Sequence, residues 1–528
     1  MIISSVLIVI FFAIMITIGF RSKKHATDVN GFVLGSRSVG PWLSAFAFGT
    51  SYFSAVIFVG YAGQFGWLFG TASTWIGLGN AFIGSLLAWA VLGRRTRVMT
   101  QHINSKTMPD FFGNRFESNG LKIAASAITF IFLIPYTASL YNGLSRLFAM
   151  AFNGIDYSVC VIIMAVLTGI YVIVGGYMAT ALNDFIQGII MLIGISAVIL
   201  AVIKANGGLV AAYMGLSAIP AKTASGEMWA GGFSSFLGPQ PLFLLMVVIL
   251  TSLGTWGLPQ MVGKFYAIKN EDSIKKGTII STFFAIVVAG GCYFLGGFGH
   301  LYETVVGVEE GKPVGGFDAI IPAMLKTLPA ALIGLVIVLV LSASMSTLSS
   351  LVLTSSSTIT LDFINGLKKK PAEEKKTMLT IRSFIVVFIV ISAAIAIFQA
   401  KSNNLYIAQM MGVSWGALAG AFLAPFLYGL YWKKTTKAAV VCSFIYGVGL
   451  ELIQLYINLA HVDLSGNVFL NFVFRNSLYS GSLAMLGGLI IVPIVSLLTQ
   501  KTVPANADKC FECYNATKTV DVTDSLGK

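Results

Sequence analysis

One apolar stretch of this sequence is crowded with hydroxyls: LSASMSTLSSLVLTSSSTITLDF, residues 341–363. Ala343, Ser346, Thr347 and Ser350 follow the i, i+3, i+4, i+7 pattern and so share one helical face. Hydroxyl and carbonyl oxygens are what hard cations coordinate. Sodium, with a single charge, does not need a full set of carboxylates. Small polar residues also let membrane helices pack closely and bond back to their own carbonyls. The spacing alone leaves both readings open.

Other reactive side chains are few. Asp184, in VGGYMATALNDFIQG, opens an apolar run; a carboxylate at a membrane boundary is often just interfacial, whereas one inside the membrane is functional by default. Asp362 reads as a capping or interfacial residue. The four histidines include His102 and His300 in separate loops, and no nucleophile or metal cluster accompanies them, so catalysis is not expected. Cys510 and Cys513 form a C-x-x-C without a second pair, which reads as two reduced thiols. Cys160, Cys292 and Cys442 lie in apolar runs and read as small hydrophobes.

The elements that position these groups are membrane helices. The chain is 56% hydrophobic and 10% charged, with a mean hydropathy of +0.84; soluble proteins carry about a quarter charged residues. Apolar runs long enough to cross a bilayer recur throughout. About thirteen spans are expected, near 2–20, 41–70, 73–93, 121–146, 157–177, 180–203, 240–262, 277–301, 329–362, 378–400, 405–431, 437–459 and 477–499. The first lacks the basic n-region and cleavage site of a signal peptide and reads as a retained helix. Two spans are interrupted. Gly49, Ser51 and Ser54 crowd the middle of SAFAFGTSYFSAVIFVGYAG; Gly254, Gly257 and Pro259 crowd LTSLGTWGLPQMVG. Pro259 removes a donor and frees an upstream carbonyl. Broken helices in equivalent positions of two halves point to an inverted-repeat transporter with its site at the breaks.

The net charge of +13 sits in short loops and sets topology. Arg21, Lys23, Lys24 and Arg37 follow span one; Arg94, Arg95, Arg97, Lys106 and Arg115 follow span three; Lys264, Lys269, Lys275 and Lys276 follow span seven. Lys368 to Lys370 with Lys375 and Lys376, then Lys433, Lys434 and Lys437, continue the alternation, whereas the loop with Glu303, Glu309 and Glu310 is acidic. The bias places the N-terminus outside and the C-terminus in the cytoplasm of a plasma (inner) membrane protein. No basic, aromatic-interleaved segment suggests nucleic-acid binding.

At these residues the chain resembles the sodium/solute symporter family. The likeness runs over about 5–500 and is carried by GFVLGSRSVGPWLSAFAFGTSYFSA, TMPDFFGNRF, VGGYMATALNDFIQG, WGLPQMVGKF, SASMSTLSS and the tract from Gly412 to Lys434. It implies an all-α membrane fold of the leucine-transporter type: five-plus-five inverted repeats, one leading helix and two trailing ones. The divisions would be a leading helix and loop at 1–40, repeats at 41–203 and 240–431, an extracellular loop at 204–239, trailing helices at 432–500 and a cytoplasmic tail at 501–528. It implies sodium-coupled uptake of a small organic solute by alternating access.

The resemblance also implies a first sodium site of Thr50, Phe53, Ala343, Ser346 and Thr347. A second would use Asp184, Ser346, Ser349 and Ser350, so one sodium ion or two are expected. The implied solute pocket is Ser54, Ile57, Tyr136, Thr255, Trp256 and Pro259. The family's proline branch has an aspartate where Tyr52 stands, and its sugar branch a glutamine where Ile57 stands, so a hexose is disfavoured. An amino acid or monocarboxylate is the expectation. The rivals are a proton-coupled or uncoupled carrier, which should lose the hydroxyls at 346 and 347, and a channel or sensor keeping the fold. A channel needs a continuous polar pore, and a sensor an appended signalling domain for which the residues after about 500 are few.

Overall fold

A computed structural model describes residues 2–151, 156–309, 311–368, 372–402 and 407–515. Lys369, Lys370 and Glu310, counted above among the loop charges, and the tail beyond Asn515 lie outside it. Helices dominate. The strands are two antiparallel hairpins, Ala221–Lys222 with Met228–Trp229 and Val308–Glu309 with Lys312–Pro313, on the Lys- and Arg-poor side. Outward-facing positions such as Val9, Ile193, Leu200, Ile279 and Phe398 are exposed and apolar, as lipid contact requires.

Among the described residues, ten helices are long and apolar enough to span a membrane, or eleven counting one bent pair. About thirteen were expected, and this count does not reach that number. Its physical reason lies in two stretches of 47 and 49 residues. The longer would measure about 74 Å if straight, more than twice the hydrocarbon thickness of ~30 Å. Each is broken at a glycine with positive φ, Gly70 (φ 61, ψ −142) and Gly176 (φ 54, ψ −145). A Cβ at Gly176 would sit 2.7 Å from the Phe32 carbonyl oxygen, so only glycine turns the chain there.

Both expected interruptions are present. Pro41–Tyr52 starts on proline, which pre-sets the first turn, and ends at Phe53 (φ −102, ψ 88). The helix resumes as a π-turn, Val56–Tyr61, before Ala62–Phe69. The second broken span is Pro241–Leu253, a tight turn at Gly254–Trp256, and Pro259–Tyr266, bent by 40°. Leu258 is extended (φ −84, ψ 121), the conformation that a following proline imposes. The hydroxyl-rich helix Ala330–Thr358 runs on into a π segment, Ile359–Ile364, and packs against Tyr157–Ala205, Asn119–Ala151 and the first broken helix.

Several charges assigned to loops are buried instead. Arg37 (1% exposed) donates to the Thr100 hydroxyl, the Tyr266 carbonyl and the Ser105 carbonyl at 3.1, 3.2 and 2.7 Å. Arg97 donates to the Ile268 carbonyl and Arg115 to the Gly429 carbonyl. Guanidinium forks here satisfy carbonyls left open at helix C-termini, where the dipole also favours a cation. Asp362 is likewise corrected: it is 1% exposed, accepts from Thr107 Oγ1 at 2.5 Å and faces Lys122 Nζ at 3.5 Å.

Candidate functional site: the breaks and the hydroxyl-rich helix

Because the first broken helix stops at Tyr52, its last carbonyls are free to face a neighbour. Thr50 O receives Ser346 Oγ and Thr347 Oγ1, each at 3.1 Å. The same hydroxyls lie 3.3 and 3.2 Å from the Ala343 carbonyl. Four of the five residues expected at the first sodium site are thus directly joined. Phe53, the fifth, lies in the break with its ring stacked on Tyr52 at 4.2 Å. Thr50, Ser346 and Thr347 are completely buried.

In the second group, Ser349 and Asp184 each face a protein partner. Ser349 Oγ donates to the Ser346 carbonyl at 2.9 Å and adjoins the Tyr171 hydroxyl. Asp184 is fully buried and faces Lys264, whose Nζ is 3.6 Å from Oδ2. Lys264 is 3% exposed, with its ammonium 5.4 Å above the Tyr177 ring. It is therefore not a topology-setting loop charge. Sequence reasoning gave it no role at the site; the available signal was a lone cation within the helix that follows Pro259. Ser350 and Lys264 line a cavity of about 50 Å3 together with Pro259, Gln260 and Thr354.

The expected solute pocket divides. Tyr136 is buried, with its hydroxyl beside Ser54 and Trp415. Ile57 is buried in the π-turn. Thr255 Oγ1 donates to the Gly84 carbonyl at 3.0 Å, and Trp256 Nε1 to the Ile83 carbonyl at 3.0 Å, so both are fastened to the third span. Pro259 faces the small cavity on the side of Lys106 and Thr107. Trp415, given no role in advance, fills the space between the breaks. Its ring is 6.0 Å from Tyr52 and 5.9 Å from Tyr136, and a Cβ on Gly254 would lie 2.6 Å from it.

A polytopic helical protein with two interrupted spans facing an oxygen-lined helix is a secondary transporter of the leucine-transporter type. The solved structure of a Na+-coupled sialic acid symporter, in a substrate-bound outward-open state, shares this fold with a TM-score of 0.71 at 17% identity, over 94% of this chain and 98% of that one. Sodium/proline symporters of Staphylococcus aureus, from a bovine strain and from strain JH9, are 30% identical over 509 and 507 residues, covering 94% of this chain and 93% of theirs. The sequence profile of the sodium:solute symporter family matches residues 32–447, and the chain belongs to that family. It is a sodium-coupled solute transporter, not an enzyme, and its partners are sodium and a small solute.

Proposed function

We propose that sodium binds between the Thr50, Phe53 and Ala343 carbonyls and the Ser346 and Thr347 hydroxyls, and drives uptake of an amino acid or a small monocarboxylate. The observation that carries this is the pair of 3.1 Å contacts at Thr50 O. Carbonyl oxygens of a broken helix and hydroxyls of a second helix converge on one point, which is the donor set a hard cation takes. Moving one sodium inward releases about 2.3 kcal/mol per 100 mV. A tenfold gradient adds about 1.4 kcal/mol.

The solute lies near the breaks, by Ser54, Ile57, Tyr136, Thr255 and Trp256; Pro259, expected with them, faces the small cavity toward Lys106. Freed backbone N–H groups and the N-terminus of Pro259–Tyr266 suit a carboxylate. Proline, named for the relatives, is the first solute to test, although Tyr52 departs from the aspartate of the proline branch. A second sodium site at Asp184, Ser346, Ser349 and Ser350 is the further reading; the burial of all four oxygen-bearing side chains favours it. The repeats span 41–203 and 240–431, with the N-terminus outside the plasma membrane and the C-terminus in the cytoplasm.

The test is thermal stabilisation of the purified chain by sodium against potassium and choline, with proline, lactate, pyruvate and glucose added in turn. Sodium-specific stabilisation increased by proline or a monocarboxylate is the expected result. Equal stabilisation by potassium, or a response to glucose alone, overturns the reading.

A further inference from the structure

From Ser346, every fourth residue of the hydroxyl-rich helix carries a side-chain oxygen: Ser346, Ser350, Thr354, Thr358 and Asp362. Residues four apart lie one above another on a helix, their Cβ atoms about 5–6 Å apart. The i, i+4 row normally winds slowly around the axis. The π segment Ile359–Ile364, with more residues per turn, works against that drift at the end where Asp362 stands. The row therefore runs from the first sodium site toward the side of the basic loops.

The structure places space along this row. Ser350, Thr354 and Thr358 line the 50 Å3 cavity. Its other walls mix apolar side chains such as Val33, Met108 and Leu353 with Lys264, which is paired with Asp184; among the described residues the Ser357 hydroxyl, both amide atoms of Gln260 and the Tyr177 hydroxyl are buried there without a hydrogen-bond partner. Groups of this kind are paired with water or an ion in nearly all native interiors. Thr107 lines the same cavity and donates to Asp362 Oδ2. Asp362 in turn lines a second, open cavity of about 480 Å3. Among the described residues its remaining oxygen, Oδ1, lacks a close hydrogen-bond partner and forms a long ion pair with the ammonium of Lys122 at 3.5 Å. That ammonium is held more closely by Asp110, at 2.7 Å. Lys106 stands where the two cavities adjoin.

We propose that this row is the release path for the sodium ion, and that Asp362 is its terminal cation site. The inference rests on the sodium site proposed above. The ion leaves Thr50 and Ser346, passes the Ser350, Thr354 and Thr358 hydroxyls partly hydrated, and is taken by Asp362 Oδ1 while Lys122 remains with Asp110. Weak, closely spaced sites are what allow an ion both to enter and to leave. Two hydroxyls of the row also bond back to their own helix, Ser346 to the Ser342 carbonyl at 2.9 Å and Thr358 to the Ser355 carbonyl at 3.1 Å; donating the hydrogen leaves the oxygen lone pairs to face a cation.

A release path changes rates without changing the equilibrium at the site it serves. The test is binding and dissociation of radiolabelled sodium on the purified full-length chain in lipid nanodiscs. Asp362→Asn is expected to slow association and dissociation together by about tenfold, the effect of losing about 1.4 kcal/mol of carboxylate attraction for the passing ion, with Kd unchanged. Asp362→Glu should restore the rates. Thr354→Val and Thr358→Val interrupt the row and should slow exchange in the same way; they decide the matter if Asp362→Asn does not fold. Wild-type exchange rates in these variants overturn the path, as does a weakened Kd at unaltered association rate, which marks a structural effect on the first site. Absence of sodium binding in the wild type removes the sodium site and the path together.

Discussion

The Tyr52 hydroxyl donates to the Thr251 carbonyl at 2.6 Å, fastening the end of the first broken helix to the helix that leads into the second break. The contact is enclosed: a Cβ on Gly84 would lie 2.2 Å from the same hydroxyl. Tyr52→Phe removes the donor and leaves a buried carbonyl with one partner fewer, at a cost of ~1 kcal/mol. The expected outcome is a lower melting temperature in detergent with the sodium requirement of uptake unchanged, because Ser346 and Thr347 are untouched. Unaltered stability with a raised sodium requirement would move Tyr52 from linking the breaks to serving the ion.

Ser346→Ala and Thr347→Ala each delete one oxygen that converges with the Thr50 carbonyl. Each is expected to raise the sodium concentration for half-maximal uptake by about tenfold, and the double variant to abolish sodium dependence nearly completely. Uptake titrated against sodium at constant ionic strength measures this. If all three variants keep the wild-type sodium curve, the hydroxyls serve helix packing alone.

Asp184 and Lys264 are buried together at 3.6 Å. Removing one partner strands the other charge, which costs about 3–5 kcal/mol, whereas removing both is far better tolerated. Asp184→Asn is therefore expected to be strongly destabilised, and the double variant Asp184→Asn with Lys264→Gln to recover most of the loss in thermal denaturation. Additive losses would show that the two charges do not depend on each other. The double variant is also the proper background for measuring charge moved per solute in proteoliposomes. A wild-type ratio of one sodium per neutral solute excludes the second ion. A ratio of two that falls to one in the double variant assigns the second ion to Asp184.

The features legible in the sequence are those set by local chemistry. Proline and glycine at 254–259 announce the second break, and the spacing of Ala343, Ser346 and Thr347 announces a common face. The joining of that face to Thr50 followed from the family resemblance, since nearly 300 residues separate the two. The groups that escaped are those whose environment is built by distant segments. Lys264 looks like a loop cation because it follows an apolar run, and only the arrival of Asp184 from another helix explains its burial. Arg37, Arg97 and Arg115 have the composition of topology signals but reach carbonyls 229, 171 and 314 residues away. Trp415 sits in an apolar tract with no local mark that it fills the space between two breaks.

The C-terminal cysteines offer a test of both topology and burial. Residues 507–514 dock under the basic loops: Arg95 lies 4.0 Å over the Tyr431 ring and 4.5 Å over the Tyr514 ring, and His102 Nε2 meets the Lys509 carbonyl at 2.9 Å. Cys513 sits in this contact, and burial, followed by the neighbouring Cys510, pushes its thiol up to about 11. An ordinary cysteine titrates near ~8.5, and only the thiolate reacts. The folded protein thus holds the Cys513 proton through neutral and mildly alkaline pH. The sign for stability follows: docking that favours the protonated thiol is at full strength below ~8.5 and is lost as pH rises toward about 11. Alkylation of Cys513, followed by mass spectrometry of the tail peptide, is expected to accelerate about tenfold per pH unit well beyond ~8.5. A plateau there means that the thiol is solvated and the tail undocked. A membrane-impermeant maleimide should leave Cys513 unmodified in intact cells and modify it in inverted vesicles, where the cytoplasmic face is outward; labelling in intact cells reverses the topology.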